Sequence, residues 1–112
     1  MGKSGDTVDN MRIRKEFHVK GKLWRVEYKW RLVDDNGVQL DGLCVPADRV
    51  IYLCHGLGDR KELIFLHELG HAIVSEYGFG SAGLEPLFEE MLVHAFAMEL
   101  LEMFQFRWRR GA

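Results

Sequence analysis

The sequence predicts an α+β domain: a small N-terminal antiparallel β-sheet packs on one helix, and a long second helix follows. Three observations carry the prediction. Residues 23–32 alternate apolar and charged side chains. Residues 61–77 repeat apolar residues at helical spacing, and residues 85–106 do so on a wider front. A chain of 112 residues makes one domain with a modest core, spanning residues 12–108.

Residues 1–11, beginning Met1-Gly2-Lys3-Ser4-Gly5-Asp6, hold no apolar signal core and read as a disordered tail. Residues 17–19 form a short strand, and Lys20-Gly21-Lys22 turns it into the next. From Leu23 to Leu32, Trp24, Val26, Tyr28, Trp30 and Leu32 share one face. Arg25, Glu27, Lys29 and Arg31 share the other, the pattern of a half-buried strand. The aromatic stripe is expected to pack beneath the helices. Asp34-Asp35-Asn36-Gly37 is a strong turn, and Asn-Gly favours a tight hairpin, so residues 38–40 and 43–45 return as short strands. Residues 49–55 read as a further strand ending at Gly56.

The first helix follows. Leu63, Ile64, Leu66, Leu69, Ile73 and Val74 recur at helical spacing. Asp59 and Glu62 stand three apart, a variant of the capping box, and Gly78 suits the left-handed residue past a helix end. In the second helix Pro86 fits the first turn. Its apolar residues, from Leu87 and Phe88 to Leu101 and Phe104, cover so wide a front that burial over much of its surface is expected.

The chemistry sits inside the first helix, at His67-Glu68-Leu69-Gly70-His71. Residues i and i+4 share a helix face, so two imidazoles aim at one point, with Glu68 on the adjoining flank. That is the arrangement of a hydrolytic zinc site. Gly70 costs about 1 kcal/mol relative to alanine within a helix. Close approach of another backbone or side chain is its expected reason. A catalytic zinc takes three protein ligands. Tyr77 occupies the place of a third histidine in the longer motif, so the third ligand is sought on the second helix. Glu89 and Glu90 stand there in an apolar stretch, and a buried carboxylate needs a partner or a metal. Glu90 shares its face with His94 one turn on, which makes Glu90 the expected ligand and Glu89 the alternative.

The H-E-L-G-H helix, followed by Glu-Glu-Met-Leu-Val-His-Ala-Phe-Ala, resembles the gluzincin type of zinc metallopeptidase. More narrowly, it is similar to the small phage and bacterial metallopeptidases related to the ImmA/IrrE group. In that group a glutamate opens an E-x-x-A-[N/D]-x-F-A stretch, and Glu90, Val93, His94, Phe96 and Ala97 fall on those places. The similarity spans about residues 43–104. Val93 replaces a small residue, and His94 stands where the family has Asn or Asp supporting a ligating histidine.

The resemblance implies Zn2+ held by His67, His71 and Glu90, with Glu68 as the general base of an endopeptidase. It implies a protein or peptide substrate held as an extended strand along a sheet edge, here residues 49–55. It also implies an oxyanion-stabilising histidine or tyrosine, for which Tyr77, Tyr52, His55 and His94 are the candidates. The alternative function is a metal-binding interaction module, or an inactive peptidase-like protein, that binds a partner strand without cleaving it. A further variant has Cys54 or His55 occupying the open coordination site.

A net charge of −2 gives no sign of nucleic-acid binding, and no apolar run reaches the ~20 residues of a membrane span. Arg107-Trp108-Arg109-Arg110 reads as a frayed basic tail. Cys44 and Cys54, with no signal peptide, are expected as free thiols in a reducing cytoplasm. His18 is expected at the surface.

Overall fold

The computed structural model describes residues 13–111, with side chains through residue 103. The disorder expected of residues 1–11 lies outside the described residues, and the tail reading of residues 107–110 lies outside the described side chains. The chain is α+β: four strands form one mixed sheet, and two helices follow. The strands are β1 (Glu16–Val19), β2 (Lys22–Lys29), β3 (Gly42–Val45) and β4 (Val50–Cys54). The helices are α1 (Lys61–Tyr77) and α2 (Pro86–Gly111).

Spatial order in the sheet is β1-β2-β4-β3. β1 pairs antiparallel with β2, and β3 with β4, but β2 and β4 run parallel. The sheet is therefore mixed, not antiparallel as the sequence suggests. The long connection from β2 to β4 gives the crossover that a parallel pair needs, and β4 has the composition of an interior strand. Val50, Ile51 and Leu53 are fully buried, and a strand paired on both sides reads as an unbroken apolar run. β4 is consequently interior, and β3 takes the edge that residues 49–55 were expected to form.

The turns follow local chemistry. Lys20 (φ 51°) and Gly21 (φ 75°) are both left-handed, the signature of the tight turn that joins β1 to β2. At the Asn-Gly turn, Asp34 Oδ1 accepts from the N–H groups of Asn36 (2.8 Å) and Val38 (2.9 Å). That turn closes only a single bridge, Val33 to Gln39, so residues 38–40 are not a strand. β2 stops at Lys29, opposite Cys54. Beyond that point the alternation loses its inner face: Trp30 is 84% exposed and stacks on His55, ring centroids 4.0 Å apart. Tyr28 is also exposed, whereas Trp24, Val26 and Leu32 are buried as expected.

α1 is entered without a side-chain cap. A 3-10 turn at Gly58–Arg60, anchored by buried Leu57, feeds straight into it. The Asp59–Glu62 capping box is not formed, and Arg60 instead pairs with Asp41 at 2.7 Å. The helix ends as the glycine predicts. Gly78 has φ 71°, its N–H donates to Ser75 O, and Phe79 N–H donates to Val74 O, which is a Schellman closure.

The core joins Trp24, Val26, Ile51 and Leu53 of the sheet to Phe65, Leu66 and Ala72 of α1 and Ala97 of α2. Glu76 pins the far end of α1 to the sheet: Trp24 Nε1–H donates to it at 2.7 Å and Arg49 Nε–H at 2.6 Å. α2 departs from expectation. Among its described side chains Val93 and Ala97 are buried, whereas Leu87, Phe88, Met91, Leu92 and Met103 are more than half exposed. Its packing is against α1, and among the described residues no further element covers its outer face.

Candidate metal centre

His67 and His71 stand one turn apart on α1, their ring centroids 5.0 Å from each other. α2 brings two glutamates to them. Nε2 of His67 lies 3.1 Å from Glu90 Oε1, and Nε2 of His71 lies 3.1 Å from Glu90 Oε2. One carboxylate thus faces both ring nitrogens. Glu89 reaches the other side of His71, its Oε2 lying 2.5 Å from Nδ1. Among the described residues, His67, His71 and Glu90 form the group of three whose metal-ligating atoms all come within 4.8 Å of one another.

These distances separate the two glutamates, of which the sequence prefers Glu90 for the face it shares with His94, whose ring lies 5.9 Å from that of His67. The Glu90 side chain is 57% exposed and Glu89 only 23%, so burial alone favours the wrong residue for the shared position. What distinguishes Glu90 is that its oxygens meet the Nε2 pair. The donor set fits zinc. Ligand atoms at a tetrahedral zinc stand roughly 3.3 Å apart, given bonds of about 2.0–2.1 Å, close to the 3.1 Å that separates each histidine Nε2 from a Glu90 oxygen.

Close helix approach makes this reach possible. A Cβ built on Gly70 would stand 2.8 Å from Val93 Cβ, so the bare glycine lets α2 lie against α1 one residue before His71. Gly42 does the same for the sheet. A Cβ there would stand 2.6 Å from Ile64 Cγ2 and 3.2 Å from Glu68 Cγ. The sequence reading passes over Gly42, although a glycine within a strand is itself a sign of close backbone approach.

Glu68 lies beside the cluster, and the nearby Cys44 N–H of β3 favours its charged form. Burial pushes its pKa up to about 7, and the charge of Glu90 adds to that, against opposing contributions from His71 and Cys44. Burial, and then His71, hold the His67 pKa below its ordinary value, which favours the neutral ring that a metal ligand must be. Burial likewise pushes the Cys44 thiol up to about 12.

β3 borders the site with its free edge. Asp41 O accepts the Cys54 N–H at 2.9 Å, and bonded pairs alternate along an antiparallel ladder. Gly42 and Cys44 therefore turn their main-chain groups away from β4. A groove of about 770 Å³ runs along this edge past His67, Glu68 and His71 to Ser75 and Ser81.

Of the four oxyanion candidates, only His94 stands beside the cluster, its ring 5.9 Å from that of His67. Tyr77 stacks on Phe79 beneath Lys20, and Tyr52 lies beneath the Lys29 ammonium. His55 stacks on Trp30, and Cys54 donates its thiol to Leu40 O, so both are engaged elsewhere than in the cluster. Both cysteines are free, and His18 is exposed. No described helix is long and apolar enough to cross a membrane.

No protein-family model, curated protein or solved structure matches this chain.

Proposed function

We propose that this chain is a zinc-dependent endopeptidase of the gluzincin type, akin to the ImmA/IrrE-like enzymes. The observation that carries the reading is the convergence of His67 Nε2, His71 Nε2 and the Glu90 carboxylate, with Glu68 on the same helix flank. His67, His71 and Glu90 would hold the metal. Zinc bound there supplies Lewis acidity, polarising a carbonyl and lowering the pKa of a water toward ~7.

The chain's own groups do the rest. Glu68, lining the groove beside His67 and His71, takes a proton from the attacking water and returns it to the leaving amine. The outward main-chain groups of Gly42 and Cys44 offer an extended peptide a strand to add to, which fixes the scissile bond along the groove. The free thiols of Cys44 and Cys54 fit a reducing cytoplasm.

Glu68→Gln tests the reading. The variant is expected to keep its zinc and lose peptide cleavage, and retained cleavage would refute the role of Glu68. A second reading, a strand-binding module that does not cleave, is favoured by the placement of Tyr77 and Tyr52 away from the cluster. It predicts binding of extended peptides with no cleavage by the zinc-loaded wild type.

A further inference from the structure

We infer that Glu89 is a positioning residue: it sets the tautomer and orientation of His71 before any metal arrives. The inference rests on the zinc-site reading above. The two ring nitrogens of His71 have different neighbours. Nδ1 lies 2.5 Å from Glu89 Oε2, and Nε2 lies 3.1 Å from Glu90 Oε2. Both neighbours are carboxylates, and the shorter contact is to Glu89, so Nδ1–H donates to Glu89 and Nε2, on the face shared with His67 and Glu90, is left for the metal.

Adjacent residues on a helix project about 100° apart, so Glu89 and Glu90 can reach opposite sides of one ring. They do so because Gly70 lets α2 lie close to α1. Glu89 is also the better shielded of the two, at 23% exposure against 57% for Glu90. Shielding strengthens a charge-assisted hydrogen bond.

The two histidines are held unequally. Among the described residues no side chain bonds Nδ1 of His67, and the neighbouring His94 ring makes only an edge contact at 5.9 Å. His71 is thus the preset ligand, and His67 is oriented by Glu90 alone.

Two readouts test this, neither of them activity. The first is the His71 tautomer, read by 15N NMR in the metal-free protein at about pH 8, above the imidazole range. The proton is expected on Nδ1 in the wild type, with that preference lost in Glu89→Ala. The second is zinc affinity by chelator competition. Glu89→Ala is expected to bind about 10–100-fold more weakly. Glu89→Gln, which keeps an oxygen acceptor, should recover part of the loss. Glu99→Ala, which removes the same charge from an exposed site on the same helix, should bind as the wild type does.

A His71 proton on Nε2 in the wild type would overturn the inference, as would a Glu89→Ala variant that binds zinc no more weakly than Glu99→Ala. A wild type that binds no zinc would refute the metal-site reading instead, and the tautomer measurement would still decide the role of Glu89.

Discussion

Gly70 and Val93 mark the point where the two helices cross, and a single added carbon would close the gap between them. A Cβ on Gly70 would meet Val93 Cβ at 2.8 Å and Cγ1 at 2.9 Å. Both helices carry metal-centre residues next to this contact: His71 follows Gly70, and Glu89 and Glu90 precede Val93 by about one turn.

Gly70→Ala is therefore expected to destabilise the fold by about 1–3 kcal/mol through overpacking, although alanine is the better helix former. It should also weaken zinc binding, because α2 must move outward and take both glutamates with it. Val93→Gly added to Gly70→Ala, which removes the Cβ that the new methyl meets, should recover part of the zinc affinity. Urea unfolding and zinc titration of the two variants check this. A Gly70→Ala protein more stable than the wild type would refute the close crossing.

Gly42 sets the distance between β3 and α1 at the level of Glu68. Gly42→Ala must displace Ile64 or the strand, and the Cys44 N–H moves with the strand. Peptide cleavage is expected to fall by at least about tenfold, as for other displaced catalytic groups, with zinc content unchanged. Loss of zinc together with activity would show that the substitution acts on the fold and not on Glu68.

Glu76 gives the sheet–helix junction an acid dependence. The Arg49 guanidinium, with further help from the Trp24 N–H, holds its carboxyl below the ordinary value of 4.5. A carboxyl whose folded pKa is depressed contributes stability that is present above the unfolded pKa and is lost as pH falls through the folded one. The stability difference between wild type and Glu76→Gln should thus be constant near neutrality and shrink below about pH 4.5. Urea midpoints across that range provide the check. A gap that widens toward acid would contradict it.

The Cys44 thiol, pushed up to about 12, holds its proton at neutral pH. Alkylation of Cys44 in the folded protein at about pH 8 should be more than roughly tenfold slower than in the unfolded chain. Cys44→Ser should leave zinc stoichiometry unchanged, since Cys44 is not part of the His67–His71–Glu90 group. Loss of zinc in that variant would bring back a cysteine ligand.

The helices and three of the four strands stand close to where periodicity places them, because periodicity is a local property. The pairing between strands is not local. Val50 to Cys54 shows the unbroken apolar run of a central strand, yet nothing in its residues says that β2 lies beside it in parallel. Trp30 continues an alternating pattern past the last paired residue, so pattern alone misjudges its exposure. Asp59 and Glu62 have capping-box spacing, but the chain enters α1 through a 3-10 turn that the spacing does not reveal. The apolar front of α2 reads as a buried helix, although among the described residues α1 is the element it packs on. Glu89 and Glu90 are the same residue type at consecutive positions; spacing from His94 favours Glu90, but that Glu90 meets both Nε2 atoms while Glu89 meets His71 Nδ1 is a matter of helix crossing that spacing does not reveal.

The most direct test is the zinc content of native-purified protein beside His71→Ala and Glu90→Ala. One zinc per chain in the wild type, lost in both variants, is the expected result. A wild type without metal after zinc is supplied, or a Glu90→Ala variant that keeps its zinc, would contradict the site.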